Sequence, residues 1–133
     1  VATTSVEVVS PSQVVATAEV EMVVCRTVGG EVAFLANHLP FLGALEPCVV
    51  RLVDEDGSEL ALAVSGGFVE VRDNHVIVLA DDAERGEDVD VEAARAEREA
   101  AAARLRDDAD DAAAGAALAV ATARLEAAGV RSD

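Results

Sequence analysis

A two-residue turn, Asp73-Asn74, set between two runs of β-branched residues, constrains this chain more than any other stretch. Aspartate and asparagine tolerate the positive φ of a tight primed turn, so residues 68–72 and 75–79 are expected to form a hairpin, opened by Gly66-Gly67. Folding about the turn sets Arg72 against His75, Val71 against Val76, Glu70 against Ile77, Val69 against Val78 and Phe68 against Leu79. Side chains alternate along a strand, which puts Val69, Val71, Val76 and Val78 on one face, an apolar surface that must be buried. The opposite face carries Phe68, Ile77 and Leu79 near its base and Glu70, Arg72 and His75 near its tip. One dry face and one partly apolar face belong in a sandwich that can also meet a partner.

Short valine-rich runs repeat the theme upstream. Residues 6–9, 14–18, 20–26, 31–35, 49–53 and 60–64 read as strands, punctuated by Ser10-Pro11-Ser12, Gly29-Gly30 and Asp54-Glu55-Asp56-Gly57, with a loop over 37–40. Within 20–26, Val20, Met22 and Val24 alternate with Glu21, Val23 and Cys25. Aromatics are 2% of the chain, so the core must be built of Val, Leu and Ala, and valine dominance favours sheet over helix bundle. Strands this short and this often interrupted predict an all-β sandwich, or flattened barrel.

Composition changes sharply near Glu87, from β-branched runs to Ala, Arg, Glu and Asp. A boundary there gives a β-sandwich domain over residues 1–86 and an antiparallel two-helix hairpin over 87–133. Asp88 or Asp90 caps the first helix, which runs to about Arg106. Asp107, Asp108, Asp110 and Asp111 form an acidic elbow, and the second helix runs from about Ala112 to Ala128, stopped by Gly129. The bulky apolar residues here are Val91, Leu105, Leu118, Val120 and Leu125, each contributing ~1.5–3 kcal/mol when fully buried. A seam resting on so few contacts predicts a hairpin that forms readily and docks weakly.

A net charge of −16 and a pI near 4.2 argue against nucleic acid or a bare anionic membrane as partner. The basic residues are all arginine, which reflects codon preference rather than function. Cys25 and Cys48 match no metal-ligand spacing and are expected as small buried apolar residues. No signal peptide, membrane-crossing run or lipidation motif is present, so the chain reads as soluble, reaching a membrane only through a protein partner and without inserting into lipid. The paired glycines lack a phosphate-loop spacing, and Ser65 lacks a nucleophile-elbow context. Asp54, Asp56, Gly57 and Glu59 put the glycine at the wrong offset for a calcium loop. The run Asp81, Asp82, Glu84, Glu87, Asp88 and Asp90 reads as a hydrated hinge. His38 and His75 share no carboxylate or cysteine partner. No catalytic residue, metal or cofactor is therefore assigned, and an enzyme is not expected. His38 stands out by position, in the polar-to-apolar loop Asn37-His38-Leu39-Pro40-Phe41-Leu42, because loops held by a rigid sheet often carry recognition. Phe41 and Leu42 themselves are expected to fold back into the core.

Three stretches together resemble a known family. They are Gly29-Gly30-Glu31-Val32-Ala33-Phe34-Leu35-Ala36-Asn37-His38-Leu39-Pro40-Phe41-Leu42, then Val64-Ser65-Gly66-Gly67-Phe68-Val69-Glu70-Val71, then Leu79-Ala80-Asp81-Asp82-Ala83-Glu84-Arg85. In order and spacing, over roughly residues 5–106, the chain is similar to the epsilon subunits of bacterial F-type ATP synthases. The resemblance implies a β-sandwich followed by a two-helix hairpin, as the residues themselves indicate. It also implies a non-catalytic rotor subunit at the foot of the central stalk, peripheral on the cytoplasmic side of the bacterial plasma membrane. Its partners would be the gamma subunit, the c ring and the catalytic alpha and beta subunits. By the resemblance, Glu31, Asn37, His38, Pro40, Phe41 and Leu42 would face the c ring, and Gly66, Gly67, Phe68, Glu70, Arg72 and Ile77 would face gamma. Glu31 and His38 would be the polar contacts on which proton-flow coupling depends.

The family's hairpin switches between a folded-down form and an extended form that restrains ATP hydrolysis, and Arg95, Arg98, Arg104, Arg106 and Arg124 are its candidate regulatory residues here. Acidic neighbours and the elbow offset those arginines, so weak restraint that added salt strengthens is expected. Some family members bind ATP through Leu/Ile-Asp-x-x-Arg-Ala. The matching stretch, Val89-Asp90-Val91-Glu92-Ala93-Ala94, keeps Asp90 but lacks the arginine, and Arg95 lies about 200° round the helix from position 93. ATP binding is therefore not expected. Ala36 and Cys48 also replace the family's usual Pro and Gly. The residues taken without the resemblance also admit a free-standing β-sandwich interaction module with a helical tail.

Overall fold

The computed structural model describes residues 2–130. Its strands are β1 (Thr4–Ser10), β2 (Gln13–Val20), β3 (Met22–Thr27), β4 (Gly30–Leu35), β5 (Phe41–Leu45), β6 (Cys48–Val53), β7 (Glu59–Val64), β8 (Gly67–Arg72), β9 (His75–Ala80) and β10 (Ala83–Arg85). A 3-10 turn at Gly86–Asp88 leads into helices α1 (Val91–Asp107) and α2 (Ala112–Ala127). The strand order is β10-β7-β6-β3-β5-β8-β9-β1-β2, with β4 on β3, and Arg85 Nε donates to Val15 O at 3.3 Å between the two ends of that path. The result is a β-sandwich flattened from a nearly closed barrel.

The β8–β9 hairpin forms in the register expected, from Arg72↔His75 to Phe68↔Leu79. Its turn has φ of 52° at Asp73 and 59° at Asn74, the two positive values that a type I′ turn requires. Val69, Val71, Val76 and Val78 are buried, and with Val6, Val8, Val50, Val64, Leu62 and Phe34 they fill the core. At Gly67, with φ of 130°, a Cβ would lie 2.0 Å from Leu79 O, so the base of the hairpin closes only around glycine.

Three features depart from the expectations. Residues 41–45 form a strand, made by pairing with β8 from Phe41↔Val71 to Leu45↔Gly67, although Gly43 and Ala44 dilute any local β signal. The alternation drawn through 20–26 breaks at Glu21, a bend whose N–H donates to Val53 O at 3.0 Å. Val20 therefore closes β2 into the core while Val23 and Cys25 do so from β3. Strand β10 also lies in what read as hydrated hinge, pairing Ala83↔Val64, Glu84↔Ala63 and Arg85↔Leu62.

Both helices are capped by aspartate. Asp90 accepts from Ala93 N at 3.1 Å, Asp111 accepts from Ala114 N at 2.9 Å, and Gly129 ends the second helix with φ of 86°. Their seam corrects the expectation of bulky contacts: Ala94 and Ala101 of α1 and Ala114 and Ala121 of α2 are buried, whereas of the five bulky residues only Leu125 is. Alanines seven residues apart face a neighbouring helix on one stripe and let the axes approach closely. Helix α2 packs on β6 and β7, and α1 packs on α2. No described helix is long and apolar enough to cross a membrane.

Candidate functional site

Every strand connection falls at one of two ends of the sandwich, and this sorts the candidate residues. One end gathers the 36–40 loop, the β8–β9 turn and the start of β1, and Asn74 joins all three. Its Oδ1 accepts from Asn37 N at 2.8 Å, its Nδ2 donates to Thr3 O at 2.9 Å, and its carbonyl accepts from Thr4 Oγ1 at 3.0 Å and Ser5 N at 3.3 Å. Asn37 adopts φ of 61°, and His38 packs edge-on against Phe34 with centroids 4.9 Å apart. His38 Nδ1 lies 2.7 Å from Leu39 O, and because a carbonyl only accepts, this contact takes the tautomer with the proton on Nδ1. Phe41 tilts against Phe34 at 5.3 Å and packs on the core, whereas Leu42, one residue on, is 70% exposed. The expectation that Leu42 folds inward is overturned, because pairing with Glu70 puts it on the outer face of β5.

Glu31 is not beside His38. It sits near the far end of β4, opposite Arg26, roughly 13 Å of strand from Leu35. What connects them is the strand itself. Among the described strands β4 pairs only with β3, and Glu31, Ala33 and Leu35 alternate outward along it. Leu35 at 55% exposure and Leu39 at 78% extend this strip to the His38 loop. Leu39 belongs to the loop read from the sequence, whereas Leu35 was not singled out, although period-two alternation from Glu31 was available to find it.

The outer face of the other sheet carries the second set. Register across five strands aligns Ala44 with Phe68, Leu79, Val9 and Val14, an apolar row with Phe68, Leu79 and Val14 each more than half exposed. The next row runs Leu42, Glu70, Ile77, Glu7 and Thr17, and the tip row joins Arg72, His75, Ser5 and Glu19. Phe68, Glu70, Arg72 and Ile77 are thus brought onto one surface, with Gly66 and Gly67 at its base and Leu42 at its margin. Val9 and Val14 were missed, because Val9 enters the row through the parallel β1–β9 pairing and Val14 through the β1–β2 register, which shifts at a bulge between Val8 and Val9.

Most of the helical arginines are already engaged. Arg95 pairs with Glu92 at 3.0 Å, Arg104 holds both oxygens of Asp111 at 3.2 and 3.1 Å, and Arg106 pairs with Glu99 at 3.4 Å. Arg124 bonds Glu84 of β10 and Glu97 of α1, which raises its pKa above the usual guanidinium range. Arg98 alone of the five makes no ion pair among the described residues. The Ala114 N–H first, and Arg104 after it, hold the Asp111 carboxyl below the carboxylate range. Burial pushes the Cys25 thiol up to about 12 and raises that of Cys48 as well, so both pack as apolar groups. Asp90 serves as helix cap, accepting from Ala93 N. Among the described residues no three His, Cys, Asp or Glu side chains converge as metal ligands.

Comparison with known proteins agrees with this architecture. The family described as "ATP synthase, Delta/Epsilon chain, beta-sandwich domain" matches residues 3–86. The chain is 45% identical over 103 residues to the ATP synthase epsilon chain of Brevibacillus brevis, covering 77% of this chain and 78% of that one. To the epsilon chain of Moorella thermoacetica it is 42% identical over 131 residues, 96% of this chain and 98% of the relative. Among solved structures, a chain in the Euglena gracilis mitochondrial ATP synthase, an OSCP/F1/c-ring assembly in rotational state 1, superposes with a TM-score of 0.80 at 26% identity. That superposition covers 96% of this chain and 82% of the other.

Proposed function

Because the chain belongs to the family of ATP synthase epsilon chains, whose members are non-catalytic subunits, we propose that it works in the rotor, linking the gamma subunit to the c ring and restraining ATP hydrolysis through its helices. The observation that carries this reading is the exposed apolar row Ala44–Phe68–Leu79–Val9–Val14 on the outer face. A contiguous apolar surface flanked by Glu70 and Arg72 has the anatomy of a protein interface, and gamma is the assigned occupant. The free strip of β4, from Glu31 through Leu35 to His38 and Leu39, with Asn37 and Pro40 beside it, is assigned to the c ring, whereas Leu42, expected there from the sequence, lies with Glu70 on the other face. Through these contacts the chain would be peripheral to the bacterial plasma membrane on its cytoplasmic side.

The test is reconstitution with gamma, the c ring and the catalytic subunits. Phe68→Glu with Leu79→Glu places two charges in the row without touching the core, and recovery of gamma with the chain should fall by more than tenfold. Equal recovery of gamma would overturn the assignment. Glu31→Ala and His38→Ala, made singly because the two side chains lie so far apart, should each weaken coupling of proton flow to synthesis while leaving the sandwich folded. Normal coupling in both would remove the c ring from this strip. The restraint on hydrolysis is expected to be weak and strengthened by salt; strong restraint at low salt, relieved by ending the chain near Asp88, would contradict that.

A further inference from the structure

Helix α2 packs on β6 and β7, and two features of that docking are not required by the hairpin's own folding. The first is Gly86. Its φ lies outside the left-handed region, so no backbone conformation demands glycine here. Space demands it. A Cβ at this position would lie 2.0 Å from Ala127 O and 2.6 Å from the Ala127 carbonyl carbon, so the last turn of α2 rests directly on the backbone of the linker. The second point is Arg124, one turn earlier in α2 and 19% exposed. Its Nε donates to Glu84 on β10 and its Nη1 to Glu97 on α1, so one guanidinium joins the sandwich to both helices. Arg51 of β6 also reaches Glu126 of α2, at a longer 3.8 Å and with both side chains more exposed, whereas Arg95–Glu92, Arg104–Asp111 and Arg106–Glu99 lie within the hairpin and would travel with it.

We propose that Gly86 and Arg124 form a two-point latch that keeps the hairpin folded against the sandwich with no bound ligand. Leu125 is the one bulky residue of the described helices that is buried, so a charge-assisted contact with low exposure weighs heavily in the balance between docked and released hairpin. The cleft around Arg124 is lined by Ser65, Asp82, Glu84 and Glu97, three carboxylates to one guanidinium. The chain's own acids occupy the place of an anion, and the local field repels a polyphosphate rather than recruiting one. The latch supplies the regulation of the rotor reading above, on which its consequence in the assembled enzyme rests.

The test uses the full free chain with spin labels at Glu46, in the β5–β6 turn, and Ala116, near the start of α2 where Gly115 and Pro47 line one cleft, measured as a distance distribution. The parent should show one short distance. Arg124→Gln should raise the ratio of released to docked hairpin about tenfold, equivalent to ~1.4 kcal/mol. Gly86→Ala, a steric wedge that leaves the ion pair's groups intact, should raise it at least as much. Exchange protection of the β8–β9 amides should be unchanged in both, showing that the sandwich stays folded. Distributions matching the parent in both variants would overturn the latch, and so would a shift of the parent's distances on adding ATP with magnesium. Failure to bind gamma in reconstitution would instead count against the rotor reading and leave this measurement standing, since it is made on the free chain.

Discussion

The sandwich and the helical hairpin solve the same problem, a shortage of aromatic residues, in opposite ways. The sandwich stacks valines from facing strands around Phe34 and Leu62, stiff branched side chains that lose little rotamer freedom on burial. The hairpin buries alanines, which lose no side-chain entropy but remove little apolar surface from water. The first solution makes a rigid body; the second makes an element whose attachment depends on a few particular contacts.

Three changes would break or sharpen the comparison. The largest effect is expected from Phe34→Ala, which empties the centre of the valine core and should cost about 3–5 kcal/mol. Denaturant unfolding followed by sheet signal would show it, and a loss under about 1 kcal/mol would mean that the core is less tightly packed than its burial indicates. Next comes Leu125→Ala, the one bulky residue of the helices that is buried. A packed leucine is worth about 2–5 kcal/mol, yet here the loss should appear as undocking of α2 with the sandwich transition unmoved. A sandwich midpoint that falls in step would make the two regions one cooperative unit.

The smallest effect concerns dryness. Because burial holds the Cys25 thiol at about 12 against an ordinary 9.0, the unfolded chain releases this proton first as pH rises. Stability from this group is therefore complete below pH 9.0 and lost above it, by ~1.4 kcal/mol for each unit up to about 12. Comparing the parent with Cys25→Ala at pH 8 and pH 10 isolates the term. An unchanged difference between the two proteins would show that water reaches the thiol.

Local chemistry alone determined a good deal of this molecule. The register of β8–β9, the Asp90 cap and the Gly129 stop each follow from a side chain acting on its own backbone or on a neighbour a few positions away. The division into sandwich and hairpin was legible for the same reason, since β-branched and alanine-rich stretches differ residue by residue. Of the candidate surface, the polar loop at Asn37 and His38 and the mixed outer face of the hairpin could also be read directly.

Only the tertiary structure decided what depends on distant partners. Strand β5 exists because β8 offers it an edge, and that pairing, not its hydrophobicity, turns Leu42 outward. Val9 joins Phe68 and Leu79 in one row through the parallel β1–β9 pairing, and Val14 joins them through a register shift at a bulge. Arg124 reaches Glu84 across 40 positions of sequence, and Gly86 is glycine because a helix end that comes 41 residues later needs the space of its missing side chain. Backbone conformational preference acts over a few residues and is written in them. Excluded volume and charge pairing act through space, and their partners are known only once the chain has folded.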